Sequence, residues 1–119
     1  MAAPNIVNVT TITGKTAVQA VGIAATAIVE NTAASGKVFK INSLIIANVD
    51  GTNAADITVE FFRSSVVYDI AKTVTVPADA TLVVISKDTS IYLEEGDAIR
   101  LQASAAGDLE AICSYEEIS

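Results

Sequence analysis

The sequence contains 119 residues and carries a formal net charge of −7, from 7 basic and 14 acidic side chains. That length suits a single domain, and an acidic surface repels phosphate backbones, which argues against binding of nucleic acid. Histidine is absent and Cys113 is the single cysteine. An intrachain disulfide, a cysteine-based metal cluster and histidine-dependent catalysis are therefore excluded.

The first 36 residues are nearly uncharged, since Lys15 and Glu30 are their only charged side chains. Two strands are predicted here, near residues 5–13 and 17–30, the second broken at Gly22. A helix over residues 16–30 is the alternative because alanine is frequent, but the many β-branched residues favour a strand. We expect residues 1–36 to form an uncharged N-terminal arm and the first strands, suited to packing against their own domain or a neighbour.

Alternation of apolar and polar residues predicts the remaining strands, near residues 37–49, 55–63, 66–76, 80–86, 90–93, 98–105 and 108–117. The strand at 37–49 alternates less, because residues 44–46 are all apolar, which is typical of a central strand covered on both sides. Pro77 cannot donate a backbone hydrogen bond, so it is expected to end the strand before it.

Turn-forming residues separate these segments at Ser35-Gly36, Asp50-Gly51, Glu95-Gly96-Asp97 and Gly107-Asp108. Eight or nine short strands in one small domain indicate two packed sheets. The predicted fold class is all-β, an antiparallel two-sheet β-sandwich that is jelly-roll-like, with one domain over residues 1–119.

Gly14-Lys15-Thr16 resembles the end of a phosphate-binding P-loop. That motif requires another glycine five positions before Gly14, where this sequence has Val9. We interpret the three residues as a β-turn.

Asp50, Asn53 and Asp56 place side-chain oxygens close together around Gly51. A hard cation such as Ca²⁺ prefers oxygen ligands, but the spacing departs from the EF-hand loop and lacks its closing glutamate. Asp-Gly commonly marks a turn, so a hairpin loop is the favoured interpretation.

Glu94, Glu95 and Asp97 form a second acidic cluster. Two carboxylates across a cleft can hydrolyse glycosides, but strand geometry would direct Glu94 and Glu95 to opposite sides. The cluster is predicted to be a solvated turn.

Cys113 shares a predicted strand face with Leu109, Ala111 and Tyr115, which indicates a buried, unreactive thiol. The three tyrosines and three phenylalanines suffice only for packing and subunit contacts. We therefore predict no catalytic, cofactor-binding or metal-binding residues, and no enzyme activity.

Hydrophobic residues make up 51% of the sequence and the mean hydropathy is +0.50. No apolar run approaches the roughly 20 residues that span a membrane, and the first residues lack the features of a signal peptide. We expect no membrane association and synthesis in a cytoplasm.

Several stretches resemble small virion structural proteins of tailed phages, particularly those of cyanophages. They are residues 35–44, 47–51, 76–78, 92–97 and 103–106. The resemblance implies a β-sandwich subunit present in many copies on the particle, with no cofactor.

From this resemblance we expect a capsid decoration or cement subunit that forms homo-oligomers and binds the major capsid protein. A neck, tail or fibre-associated module that contacts a host surface is the alternative. A hydrolase or carbohydrate-binding domain is a third hypothesis, and it would depend on the acidic clusters.

Overall fold

The computed structural model describes residues 4–119, and nine β-strands account for most of them. The strands are β1 (Ile12–Ala20), β2 (Thr26–Glu30), β3 (Val38–Asn48), β4 (Ala55–Arg63), β5 (Val66–Val76), β6 (Thr81–Ile85), β7 (Ile91–Leu93), β8 (Ala98–Ala103) and β9 (Leu109–Ile118). One 3₁₀ turn, Lys87–Thr89, separates β6 from β7.

The strands form two antiparallel sheets that pack face to face. The first sheet has the order β1-β9-β3-β6, with β7 also paired to β3, and the second has the order β2-β8-β4-β5. If β6 and β7 are counted as one interrupted strand, each sheet has four strands in jelly-roll order. The predicted all-β, jelly-roll-like sandwich is confirmed.

The core lies between the sheets and consists mainly of aliphatic side chains. β3 contributes Ile41, Leu44 and Ile46, and the opposite sheet contributes Ile57 and Leu101, all with no exposed surface. Alternate residues face this core most clearly in β4 and in the first half of β9, as a two-layer sandwich requires. The scarcity of aromatic residues is thus compensated by close packing of branched aliphatic ones.

The N-terminal region departs from the prediction. Residues 5–8 form a turn, in which the Asn8 amide donates to the Asn5 carbonyl at 3.0 Å, and β1 begins only at Ile12. Gly14-Lys15-Thr16 lies inside β1 and is not a β-turn. These residues are extended because they pair with β9. The regular nine-residue ladder satisfies backbone groups that a turn at Gly14 would leave unpaired. The first three residues of the predicted arm lie outside the described residues.

Other predicted elements are found where the sequence placed them. The segment 16–30 is extended and interrupted around Gly22, so the helical alternative is wrong. β5 ends at Val76, directly before Pro77. β3 is central in its sheet, but its outward face is only half-buried. The three consecutive apolar residues coincide with a register shift in the pairing with β6, between Leu44 and Ile45.

Two fully buried asparagines fix loops that follow strands β2 and β3. Asn31 donates to the carbonyls of Lys37 and Leu93 at 2.9 and 3.0 Å, and its own oxygen accepts from Ser35. Asn48 donates to the carbonyls of Asn53 and Val76. Because a buried amide with all its hydrogen bonds formed has few alternative positions, these residues hold the loops in one conformation.

We predict that Val59→Ala and Val18→Ala differ sharply in their effect on stability, although the chemical change is the same. Val59 is 0% exposed and Val18 is 74% exposed. The buried substitution should lower the free energy of unfolding by about 2 kcal/mol, because it removes two buried methyl groups and leaves a cavity. The exposed one should change it by less than about 0.5 kcal/mol. Urea unfolding followed by circular dichroism measures both, and equal losses would contradict the assigned faces.

Candidate functional site

The Asp50-Asn53-Asp56 group does not come together as a cation site. The Asp50 carboxylate accepts the backbone amides of Thr52 and Asn53 at 2.7 and 3.1 Å, which lowers its pKa. Asp56 lies in β4 and accepts the Thr75 hydroxyl at 2.8 Å. The loop is also not a hairpin, because β3 and β4 belong to different sheets and the chain crosses between them here.

The Glu94-Glu95-Asp97 cluster is split, and the prediction of a solvated turn is wrong for Asp97. Asp97 is 2% exposed and accepts two hydrogen bonds from Arg63, from Nε at 2.7 Å and from Nη2 at 2.5 Å. It also accepts the Glu94 backbone amide at 2.8 Å. Glu94 pairs with Arg63, whereas Glu95 turns the other way and accepts the Gly36 amide.

This arrangement joins the far end of β4 to the turn between β7 and β8. A buried carboxylate requires a paired cation, and the planar guanidinium of Arg63 meets both carboxylate oxygens of Asp97. The hydrogen bonds and negative charge of Asp97 raise the pKa of Arg63 further above its ordinary value. The cluster therefore stabilises the fold, because Arg63 and a backbone amide hold the buried carboxylate of Asp97.

Within residues 4–119, no group of three or more His, Cys, Asp or Glu side chains is arranged to hold a metal ion. Cys113 is fully buried, and burial raises the pKa of its thiol to about 12. The thiolate is the reactive form of cysteine, so the thiol stays protonated and unreactive at neutral pH. The predicted buried location of Cys113 is confirmed.

A row of apolar side chains crosses the outer face of the first sheet. Strand pairing sets Val18 opposite Ile112, Ile112 opposite Ile45, and Ile45 opposite Val83. The side chains of Val18, Ile112 and Val83 are 74%, 42% and 59% exposed. We call these four residues, one from each strand of the sheet, the apolar row.

Small or uncharged residues flank most of the apolar row. On one side the pairing brings together Ala20, Glu110, Ala47 and Thr81, and on the other Thr16, Ser114 and Ser43. A shallow hollow of about 310 Å³ lies beside the row and is lined largely by its residues and by these alanines. The centre of this outer face is therefore mainly apolar, with Glu110 as the charged residue in the flanking rows.

The outer face of the second sheet has the opposite character. Arg100 lies across it, donates to Glu60 at 2.9 and 3.1 Å, and places its guanidinium carbon 4.0 Å from the centre of the Phe62 ring. The hydroxyl and amide side chains of Thr58 and Gln102 lie opposite each other on the same strands. The centre of this face is largely polar, and Arg100 and Glu60 neutralise each other within the chain.

The second sheet exposes a different feature, the free edge of β5. This strand spans eleven residues, nearly all exposed, including Val66, Tyr68 and Ile70. Its unpaired backbone groups can receive another strand. Its pairing with β4 contains register shifts, and the charged residues Asp69 and Lys72 lie near its middle. The edge is therefore less regular than the edge of the first sheet at β1.

The chain is similar in fold to a chain from a solved structure described as a Bacillus endospore appendage of a family of disulfide-linked pili. The identity is 17%, the TM-score is 0.52, and the match covers 92% of this chain and 88% of that chain. At that identity the likeness concerns the fold alone. No protein-family model and no curated protein matches the sequence.

Helices able to cross a membrane are absent from residues 4–119, where the only helical element is one 3₁₀ turn.

We predict that Asp97→Ala lowers the free energy of unfolding by about 2 kcal/mol, because a buried acceptor of charged and backbone donors is lost. Glu94→Ala removes the other carboxylate that contacts Arg63, but Glu94 is exposed, so its loss should cost less than about 1 kcal/mol. Denaturant titration of both variants is the measurement. A larger loss for Glu94→Ala would mean that Asp97 is not the anchor of this turn.

We predict that Cys113 resists thiol reagents in the native protein at pH 8 and reacts fully once the protein is unfolded. Its thiol, with a pKa of about 12, is both protonated and buried. Labelling with a chromogenic disulfide reagent, with and without guanidinium chloride, measures this. Rapid labelling of the native protein would show that β9 opens or that Cys113 is accessible.

Proposed function

We propose that this protein is a non-enzymatic structural subunit of a tailed-phage particle, made in the host cytoplasm and incorporated into the virion as a capsid decoration or cement subunit. The observation that carries the proposal is the apolar row, which is exposed on the outer face of the first sheet. Exposed apolar surface of this kind is typical of a site for another protein. The phage location comes from the sequence resemblance over residues 35–106.

The arrangement of charged side chains supports a structural role. The conspicuous carboxylate cluster at residues 94–97 is occupied by Arg63 and backbone donors. Cys113 is protonated and buried. The hydrolase hypothesis needed the acidic clusters as free catalytic pairs, and their engagement in the fold argues against it.

Self-association in the virion is assigned in this proposal to the edge of β5. An exposed strand edge adds a second strand through main-chain hydrogen bonds, and this mode makes few demands on side chains. The apolar row would then stay available for the major capsid protein. One chain thus offers separate surfaces for copies of itself and for the particle.

A subunit of a surface filament is the second candidate, favoured by the shared fold with the Bacillus endospore pilus protein. The 119 residues contain one cysteine, which is buried in β9. A filament built from this chain would therefore be held together by non-covalent contacts, unlike the disulfide-linked pili of the structural neighbour.

Immunogold electron microscopy tests the location on the particle. Antibodies against the purified protein should label the heads of purified virions of the encoding phage, with a high copy number by quantitative mass spectrometry. Labelling confined to the neck or tail would reject decoration in favour of the alternative module. Absence from virions, together with labelled filaments, would reject the virion role.

A further inference from the structure

Four carboxylates lie near one end of the sheet that carries the apolar row: Glu110 is in β9 on the outer face, and Asp50, Asp79 and Asp108 are in the loops beyond it. Glu110 lies in the cross-strand row next to the apolar row, where it is opposite Ala20 on one side and Ala47 on the other. The backbone hydrogen bonds from Val49 to Asp108 and from Asp79 to Asp50 continue the pairing of β3 with its neighbours beyond that row. We call Asp50, Asp79, Asp108 and Glu110 the acidic corner.

The acidic corner is not neutralised by the chain. No salt bridge formed within residues 4–119 includes any of its four members, although five basic residues pair with acids elsewhere. Partial desolvation raises the pKa of Asp108, and the nearby charge of the Asp50 carboxylate and a hydrogen bond to it raise it further. A cation from outside would relieve this repulsion.

The opposite end of the same face is balanced. Lys15 and Lys37 both bind Glu117 near this end, but Lys15 and Glu117 alternate with the outward-facing residues and so lie on the core side of the sheet. Lys40 is paired in register with Glu116. The unbalanced charge therefore lies on one side of the apolar row, and this gives the surface a polarity that a partner must match.

We propose that the outer face of the first sheet binds a different protein whose surface is apolar in the centre and carries Lys or Arg along one border, with that border seated on the acidic corner. This inference deepens the proposed function by stating the chemistry of the partner. Charge complementarity of this kind fixes orientation and speeds association more than it adds affinity.

A second copy of this chain fits the face poorly. Two copies face to face would each bring four unpaired carboxylates and a net charge of −7, and like charges oppose association.

Four strands about 4.8 Å apart and three rows about 7 Å apart give a face of roughly 400 Å². That is about half of what each partner buries in a typical stable complex.

The small area also indicates how the contact would work. A single contact of this size is weak, so it would be effective where many copies bind a repeating surface and are held by their neighbours. The β5 edge provides such a neighbour contact in the proposed function. The partner surface would then be a repeated one.

The test uses the full chain and three synthetic peptides, with nuclear magnetic resonance shift mapping as the readout. The first peptide alternates valine and serine and ends in two lysines, the second has two glutamates in place of the lysines, and the third has serine in place of valine. The lysine-valine peptide should shift amides of β1, β9, β3 and β6. The other two should bind at least tenfold more weakly.

Paired variants locate the binding surface. Val18→Ser with Ile112→Ser should weaken binding of the lysine-valine peptide about tenfold or more, whereas Val67→Ser with Ile70→Ser, on the exposed β5 edge, should leave it unchanged. Asp79→Asn with Glu110→Gln should abolish the preference for lysine over glutamate, and Asp69→Asn with Asp88→Asn should preserve it. Far-ultraviolet circular dichroism checks that each variant is folded.

Three results would overturn the inference. They are equal binding of the lysine and glutamate peptides, shifts confined to the second sheet or β5, and dimers of the wild-type chain that dissociate in Ile112→Ser when measured by sedimentation. The last result would make the occupant a second copy. Presence in the virion is measured separately, so the proposed function can hold when this inference fails, and the reverse is also possible.

Discussion

The antiparallel register between β3 and β9 is the constraint on which the rest of the structure depends. These two strands form the centre of the first sheet and pair along almost their whole length. The register places Leu44, Ile46, Ala111 and Cys113 in the core. Because side chains alternate between faces, a shift of one residue would move all of them to the surface.

The same register determines the outer face. Ile45 and Ile112 lie opposite each other because their neighbours face inward, and β1 and β6 extend the row to Val18 and Val83. Burial of the core and exposure of the apolar row are therefore two consequences of one pairing. A chain stabilised by one face of this sheet necessarily presents the other face to a partner or to solvent.

Some polar side chains stabilise loops within the fold, whereas the carboxylates of the acidic corner form no salt bridge within the described part of the chain. Asn31, Asn48 and the Arg63–Asp97 pair are buried or partly buried, and they fix the loops at the ends of the strands. The acidic corner has no such partners among the described basic residues. Its charge is consequently available to select what approaches the sheet face, which is the physical basis for assigning polarity to that surface.

The sequence by itself determined the fold class, most strand positions and the burial of Cys113, because alternation and turn residues are local signals. It did not determine where β1 begins, since the extended state of Gly14 to Thr16 follows from pairing with β9, about one hundred residues away. The role of Asp97 was also hidden, because its partner Arg63 lies 34 positions earlier.

The candidate surface was decided by tertiary structure alone. Val18, Ile45 and Val83 look like ordinary core residues of three separate strands. Alternation sets Ile112 on the face opposite Cys113, but nothing in the sequence indicates that these four residues lie side by side. Only sheet order and register bring them into one row on the outside. Composition predicts a nearly uncharged N-terminal segment and an acidic net charge, but the juxtaposition of the apolar row and the acidic corner required the folded sheet.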